Sequence, residues 1–357
     1  MTNPLNALFT VVFQKAKLIR SLGFGYWNFV DMKENSLEII TALQAIRLAS
    51  RLCQKVGREL AEGASIQKID RTPVTIADYG SQAIICKLIK DTFPDDIVAA
   101  EEDSAELKKP NHLNILRQVT GYVHDLFPGA SSDEVCSWID LSSHSIKNRF
   151  WTLDPIDGTK GFLRGDQYAI ALALIENGLI QLGLIACPNL YADKDRPGEK
   201  RGCLFLALRG KGSFQMELDG EGRQTLSVSN VSDPVKASFT ESVEPDHADH
   251  LIHQRIAKKL KMIRPPLKMD SQAKYGVVAR GEATFYLRVP SSSEPGYKEN
   301  IWDHAPGAII AEEAGGKVTD LYGQPLDFSC GIKLERNHGI LVSNGILHEV
   351  ILKALEM

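Results

Sequence analysis

The chain has 357 residues, 43% hydrophobic and 24% charged, enough for one large or two medium globular domains. A net charge of −4, with mixed signs and no basic stripe, argues against a nucleic-acid partner. Six scattered cysteines (Cys53, Cys86, Cys136, Cys187, Cys203 and Cys330) form no C-x-x-C, so neither a zinc site nor a disulfide framework is signalled; buried free thiols are expected, with redox control by Cys187 and Cys203 as the alternative.

Met1 to Val30 contains no Asp or Glu but carries Lys15, Lys17 and Arg20 among apolar residues, the texture of an organellar transit segment. The other reading of residues 1–33 is an extension without a role, with Met32 as the start. A cytoplasmic protein is expected, or a plastid or mitochondrial one if residues 1–30 direct import. No later segment is long and apolar enough to span a bilayer, so no membrane partner is expected.

Asn35 followed by Glu38 resembles a capping box, and Leu37, Ile40, Leu43, Leu48, Leu52, Val56 and Leu60 continue at helical spacing until Gly63. Ile76–Phe93 reads as a second helix, Asp96–Ala100 as a short strand and Asn114–Leu126 as a helix. Phe150–Asp154 is the next strand. Tyr168–Ile175, Leu179–Ala186, Gly202–Leu208 and Gly212–Glu217 follow, separated by turn signals, which predicts a largely antiparallel sheet. The polar stretch 191–201 reads as a surface loop. Lys211, in G-K-G, lacks phosphate-loop spacing and reads as a hairpin turn.

Beyond Val231–Pro234 strands and helices alternate: Ala237–Glu241, His250–Leu260, Leu267–Asp270, Thr284–Val289, Trp302–Ala314, Lys317–Asp320, Gly339–Ser343 and Ile346–Leu355. Ser291–Pro295 reads as a loop. The expected organisation is an extension at 1–33, an α+β domain at 34–231 and an α/β domain at 232–357.

Acidic residues recur where apolar runs end. Glu101 and Glu102 follow Ile97–Ala100, Asp154 follows Trp151–Leu153, Asp303 sits in I-W-D-H, and Asp70 precedes T-P-V-T. Glu102 and Asp103 read as a solvated end. The octapeptide T-L-D-P-I-D-G-T, Thr152–Thr159, places Asp154 and Asp157 three residues apart after a strand that reads as buried. Like charges repel more strongly out of water, so such a pair needs a counter-ion. Carboxylates with a backbone carbonyl and waters suit Mg²⁺, and no His or Cys joins the set, which argues against zinc.

D-P-I-D-G-T at Asp154–Thr159, A-E-E-D at Ala100–Asp103 and W-D-H-A-P-G-A-I-I-A-E-E-A-G-G at Trp302–Gly316 together resemble the lithium-sensitive, magnesium-dependent phosphatase superfamily of inositol monophosphatase and fructose-1,6-bisphosphatase. The resemblance runs from about Leu37 onward; Ala100, where the family often has Gly, is a mild departure. It implies a layered αβαβα sandwich of the α/β (α+β) class and two or three Mg²⁺ ions held by Glu101, Asp154, the Ile156 carbonyl, Asp157 and Asp303. It also implies that Asp70 and Thr159 orient and deprotonate the attacking water, and that lithium inhibits.

Lys68–Gln82, Gly158–Ala169 and Met269–Gly276 look like the 3′(2′),5′-bisphosphate nucleotidase branch of plant and yeast type. That branch implies hydrolysis of the 3′-phosphate of adenosine 3′,5′-bisphosphate (PAP) to AMP, and action on its sulfated form PAPS. It implies substrate contacts from Thr159, His247 (or His250, three residues on), Ser271, Lys274, Arg288 and Asp303; Tyr297 is a candidate neighbour of the base. The expected partner is thus a small-molecule nucleotide; the sequence leaves the oligomeric state open, with a monomer favoured. The rival readings are an inositol phosphate phosphatase and a non-catalytic nucleotide sensor.

Overall fold

The computed structural model describes residues 36–61, 76–192, 201–220, 222–243, 250–290 and 296–356. The extension 1–33, Asp70, His247, most of the 191–201 loop and Ser291–Pro295 lie outside the described residues. No described helix is long and apolar enough to cross a membrane.

Two sheets form the frame. The first has seven strands in sequence order: β1 (Ile97–Ala100), β2 (Arg149–Asp157), β3 (Ala169–Glu176), β4 (Leu179–Tyr191), β5 (Arg201–Leu208), β6 (Gly212–Glu217) and β7 (Arg223–Thr225). Only the β1–β2 pair is parallel. The antiparallel meander was expected from the turn signals at Asn177-Gly178 and Gly210–Gly212. The second sheet has the order β11 (Lys317–Thr319), β12 (Ile340–Ser343), β10 (Phe285–Arg288), β8 (Phe239–Glu241) and β9 (Leu267–Lys268).

Alternation along the first sheet divides its residues between two helical layers. Ile170, Leu172 and Leu174 pack with α1 (Ser36–Ala61), α2 (Ile76–Thr92), α3 (Leu113–Leu126) and α4 (Ser132–Ile139). Ala169, Ala171, Ala173 and Ile175 belong instead to a cluster with α7 (Ala273–Ala279), α8 (Ala305–Glu313) and one face of the second sheet. The other face of that sheet, with Phe285, Leu287 and Leu341, is covered by α6 (His250–Lys259) and α9 (His348–Leu355). The order of layers is therefore αβαβα.

The central helical layer is thin because its contacts use glycine. A Cβ on Gly307 of α8 would lie 2.3 Å from the Tyr275 ring of α7. Gly307→Ala is expected to cost about 1–3 kcal/mol through overpacking, read as a lower urea midpoint at an unchanged m-value.

Several elements differ from the sequence reading. The predicted helix Trp302–Ala314 is broken: Ile301–Asp303 is a 3₁₀ turn, and α8 begins after His304. Pro306 explains the break, since proline is favoured in a helix's first turn and would clash inside one. Three short helices went unread. α4 carries a full Ser131–Glu134 capping box, α5 (Thr159–Arg164) is bracketed by Gly158 and Gly165, both at positive φ, and α7 holds Lys274. The G-K-G segment is a hairpin turn whose Gly210 and Gly212 amides donate to Glu313, so they are not available to a phosphate.

Strand β2 runs on through Pro155 to Asp157 rather than stopping at Asp154. Asp154 pairs with Ala171 and Asp157 with Ala169, so three steps on β2 face two on β3. This is a bulge, which accommodates the missing N–H of Pro155.

Candidate active site

The bulge decides where the two aspartates point. In a regular strand, residues three apart face opposite sides of the sheet. One extra residue brings Asp154 and Asp157 to the same side, and both line a single cavity of about 300 Å³. Glu101, at the end of the neighbouring β1, opens into the same cavity, as does Asp303 from the turn before α8. The Gln82 side chain fixes the chain after Glu101: its amide donates to the Glu102 carbonyl at 2.5 Å and accepts from the Glu102 N–H at 3.0 Å.

The second sheet and α7 supply the opposite wall, with Ser271, Lys274 and Arg288. The two walls are joined at Asp157, which accepts from the Gln272 N–H at 2.6 Å. Gly158 permits this approach: at φ 84°, a Cβ there would lie 3.1 Å from Ser271 Cβ. Ser271 itself sits in the left-handed region at φ 68°, an uncommon conformation for a residue with a side chain.

The structure thus brings Glu101, Asp154, Ile156, Asp157, Thr159, Ser271, Lys274, Arg288 and Asp303 to one cavity, with Tyr297 beside them. The Thr159 hydroxyl donates to the Ile156 carbonyl at 3.1 Å. Asp70 and His247 lie outside the described residues, and His250 begins α6.

Electrostatics separate the two ends. At the acidic end every carboxyl is pushed up. Burial raises Glu101 to about 7, helped by Glu102 and Asp157. Burial raises Asp303 to about 7, helped by Asp157 and Glu101 and opposed by His304. Asp154 is pushed well above the carboxylate range by burial and then by Glu101, Asp157 and Asp303. Asp157 is raised by burial against the pull of Lys274. Asp154 Oδ1 is buried and finds no hydrogen-bond partner among the described residues. A buried, orphaned carboxylate oxygen surrounded by like charges is costly unless a cation completes it. Hard oxygen donors of this kind fit Mg²⁺.

At the cationic end, burial lowers the Lys274 ammonium to about 8. Lys274 Nζ lies 5.3 Å from the Tyr286 ring centroid and 3.4 Å from the Met269 carbonyl oxygen.

Sequence reasoning missed four residues that frame the site. Gln272 also donates to the Trp302 carbonyl at 2.9 Å. Glu299 accepts from Arg288 Nε at 3.0 Å, and its other oxygen lies 3.3 Å from His304 Nε2. His304 Nδ1 is 2.7 Å from the Tyr275 hydroxyl. Gln272 and Tyr275 lie within Met269–Gly276 and His304 within W-D-H-A-P-G, so only Glu299 stands outside every stretch the sequence singles out. Glu299, Asp303 and His304 are close enough to hold an ion, but both Glu299 oxygens are engaged by cations or N–H donors. Burial pushes the Glu299 carboxyl up, yet His304 and Arg288 together hold it down at about 2.

The raised carboxyls give a signed prediction. Glu101 and Asp303 keep protons to about pH 7 when folded, against ordinary values of 4.5 and 3.8. The native state then binds more protons than the unfolded chain between about pH 4 and 7. Their contribution to stability is complete below that window and is lost as pH rises through it. Since Mg²⁺ competes with those protons, the Mg²⁺-induced rise in Tm should be larger at pH 7.5 than at pH 5. Melts in EDTA and in Mg²⁺ at both pH values check this; an equal rise would rule it out.

The whole described fold matches one family model, described as the inositol monophosphatase family, over residues 33–357. A 3′(2′),5′-bisphosphate nucleotidase of Oryza sativa is 43% identical, covering 89% of this chain and 93% of that one. Its namesake in Schizosaccharomyces pombe is 42% identical, covering 87% and 92%. 3′(2′),5′-Bisphosphate nucleotidase 1 of Arabidopsis thaliana is 44% identical, covering 89% and 95%. Among solved structures, an IMPase of Thermotoga maritima superposes with a TM-score of 0.60 at 22% identity, covering 89% of this chain and 96% of that one. The extragenic suppressor protein suhB of Bartonella henselae does so at 0.61 and 20%, covering 90% and 99%. At those identities the structural likeness establishes the fold.

Proposed function

This chain belongs to the inositol monophosphatase family, and from that premise we propose that it is a Mg²⁺-dependent phosphatase that removes the 3′-phosphate of PAP to give AMP, and that it also converts PAPS to its 3′-dephosphorylated form. The observation that carries the reading is the two-ended cavity. One end is a set of mutually repelling carboxylates around the buried Asp154, and the other holds Lys274 and Arg288. A substrate with two phosphates, only one of them to be cleaved, needs both ends. The relatives at 42–44% identity carry the nucleotidase name.

In this reading Glu101, Asp154, the Ile156 carbonyl, Asp157 and Asp303 hold the Mg²⁺, with two or three ions in the site. Bound there, the metal supplies positive charge to the phosphoryl oxygens and lowers the pKa of water. The chain's own residues do the rest. Thr159, at the start of α5, presents its hydroxyl beside the Ile156 carbonyl and orients the attacking water, with Asp70 as the base that takes its proton. Ser271, Lys274 and Arg288 bind the second phosphate by charge-assisted hydrogen bonds, and His247 is assigned to the nucleotide on the sequence resemblance alone. Asp303 serves both metal and substrate. Lithium inhibition is expected in the millimolar range.

The test is phosphate release from PAP and from inositol 1-phosphate, side by side, with Mg²⁺ and with EDTA. Fast Mg²⁺-dependent release from PAP and slow release from inositol 1-phosphate are expected. The reverse preference would keep the acidic end and make the protein an inositol phosphate phosphatase, overturning the roles of Ser271, Lys274 and Arg288. Tight PAP binding with only trace release would make it a sensor.

A further inference from the structure

Arg288 is not held by the cavity floor alone. It ends β10, and an arginine there has four rotatable side-chain bonds and a large entropy to lose when it binds an anion. Glu299 removes much of that freedom in advance. It is 4% exposed and takes Arg288 Nε at 3.0 Å, which fixes the plane of the guanidinium. Its other oxygen faces His304 Nε2 at 3.3 Å, and His304 is tied in turn to the Tyr275 hydroxyl at 2.7 Å. The Glu299 backbone carbonyl accepts from the Leu334 N–H at 2.9 Å.

The location of Glu299 adds a second consequence. It stands four residues before Asp303, just ahead of the turn Ile301–Asp303. One side chain therefore links the guanidinium on β10 to the turn that brings Asp303 to the acidic end. The link sets the spacing of the guanidinium from the acidic end, while the turn that carries Asp303 is seated on β2 and β3. A substrate with one phosphate is indifferent to that spacing; a substrate with two is not.

We propose that Glu299 is a positioning residue that anchors Arg288 and thereby sets the preference for a bisphosphate over a monophosphate. The inference rests on the nucleotidase reading above. Its test is a double-mutant cycle on the full-length protein with Mg²⁺: wild type, Glu299→Ala, Arg288→Ala and the double variant. Each is assayed on PAP and on adenosine 3′-monophosphate, with kcat and KM separated.

Glu299→Ala should raise KM for PAP about tenfold, the range of a hydrogen bond to a charged group. It should leave kcat on both substrates, and KM for the monophosphate, within about twofold, and add nothing to KM in the Arg288→Ala background. An equal KM rise in both backgrounds, or equal loss of kcat on both substrates, overturns the proposal. Glu299→Gln guards against a folding defect, because its amide keeps an acceptor for Arg288 and a donor for a neutral His304. It should recover most of the affinity for PAP; a Gln variant as weak as the Ala variant also overturns it. Wild-type protein inactive on both adenosine substrates rejects the nucleotidase reading with it, whereas an active wild type with an additive cycle rejects the role of Glu299 alone.

Discussion

Asp154→Asn is expected to abolish turnover and to make the metal-free protein more stable. The two effects share one cause. Asp154 is buried among Glu101, Asp157 and Asp303 with an orphaned Oδ1. Asparagine keeps the shape and matches the neutral, donating form toward which burial and like charges push Asp154, without the cost of taking up a proton. In EDTA the Tm should rise by about 2 °C or more, since about 1 kcal/mol shifts a chain of this size by that amount. In Mg²⁺ the variant should lose most of the cation-induced stabilisation. It should also lose kcat/KM by about 10³-fold, the equivalent of about 4 kcal/mol of transition-state stabilisation. Activity within tenfold of wild type, or a lower Tm in EDTA, would mean that Asp154 is not a metal ligand. Opposite signs for stability and activity would mark the site as functional rather than structural.

Neutralising Arg288 should separate substrates rather than slow chemistry. In Arg288→Gln, KM for PAP is expected to rise about 10- to 100-fold, the range for losing a charge-assisted hydrogen bond to phosphate. KM for adenosine 3′-monophosphate should stay within about threefold, because the proposed function puts the cleaved phosphate at the other end of the cavity. Steady-state kinetics on the two nucleotides give the comparison. Equal loss on both would remove Arg288 from the second-phosphate site and weaken the case for a nucleotide substrate.

The frame of the molecule was readable because its signals are local. Apolar runs separated by turn dipeptides mark the meander β3–β6, and helical spacing marks α1. The acidic end was also readable, since D-P-I-D-G-T packs two carboxylates, a carbonyl and a hydroxyl into six consecutive residues. The bulge that turns Asp154 and Asp157 to one side was not, because it exists only in register with Ala169 and Ala171 of another strand. Short helices were lost for a related reason: α5 holds a glycine at position 161 and has one at each end, so its intrinsic propensity is low and its packing decides. Pro306 was visible and should have moved the start of α8 past Trp302. Glu299 and His304 act through Arg288 and Tyr275, partners brought to them by tertiary folding.

The two walls of the cavity come from different sheets and meet at the Asp157–Gln272 hydrogen bond. A molecule whose second sheet has come loose would keep Glu101, Asp154, Asp157 and the turn that carries Asp303, which packs on β2 and β3, but would surrender Arg288 on β10. It would keep the four acidic side chains together while losing the guanidinium of the opposite wall. Strain on the second sheet should therefore blunt the choice between esters before it stops their hydrolysis: a worn copy of this protein errs in what it accepts before it falls silent.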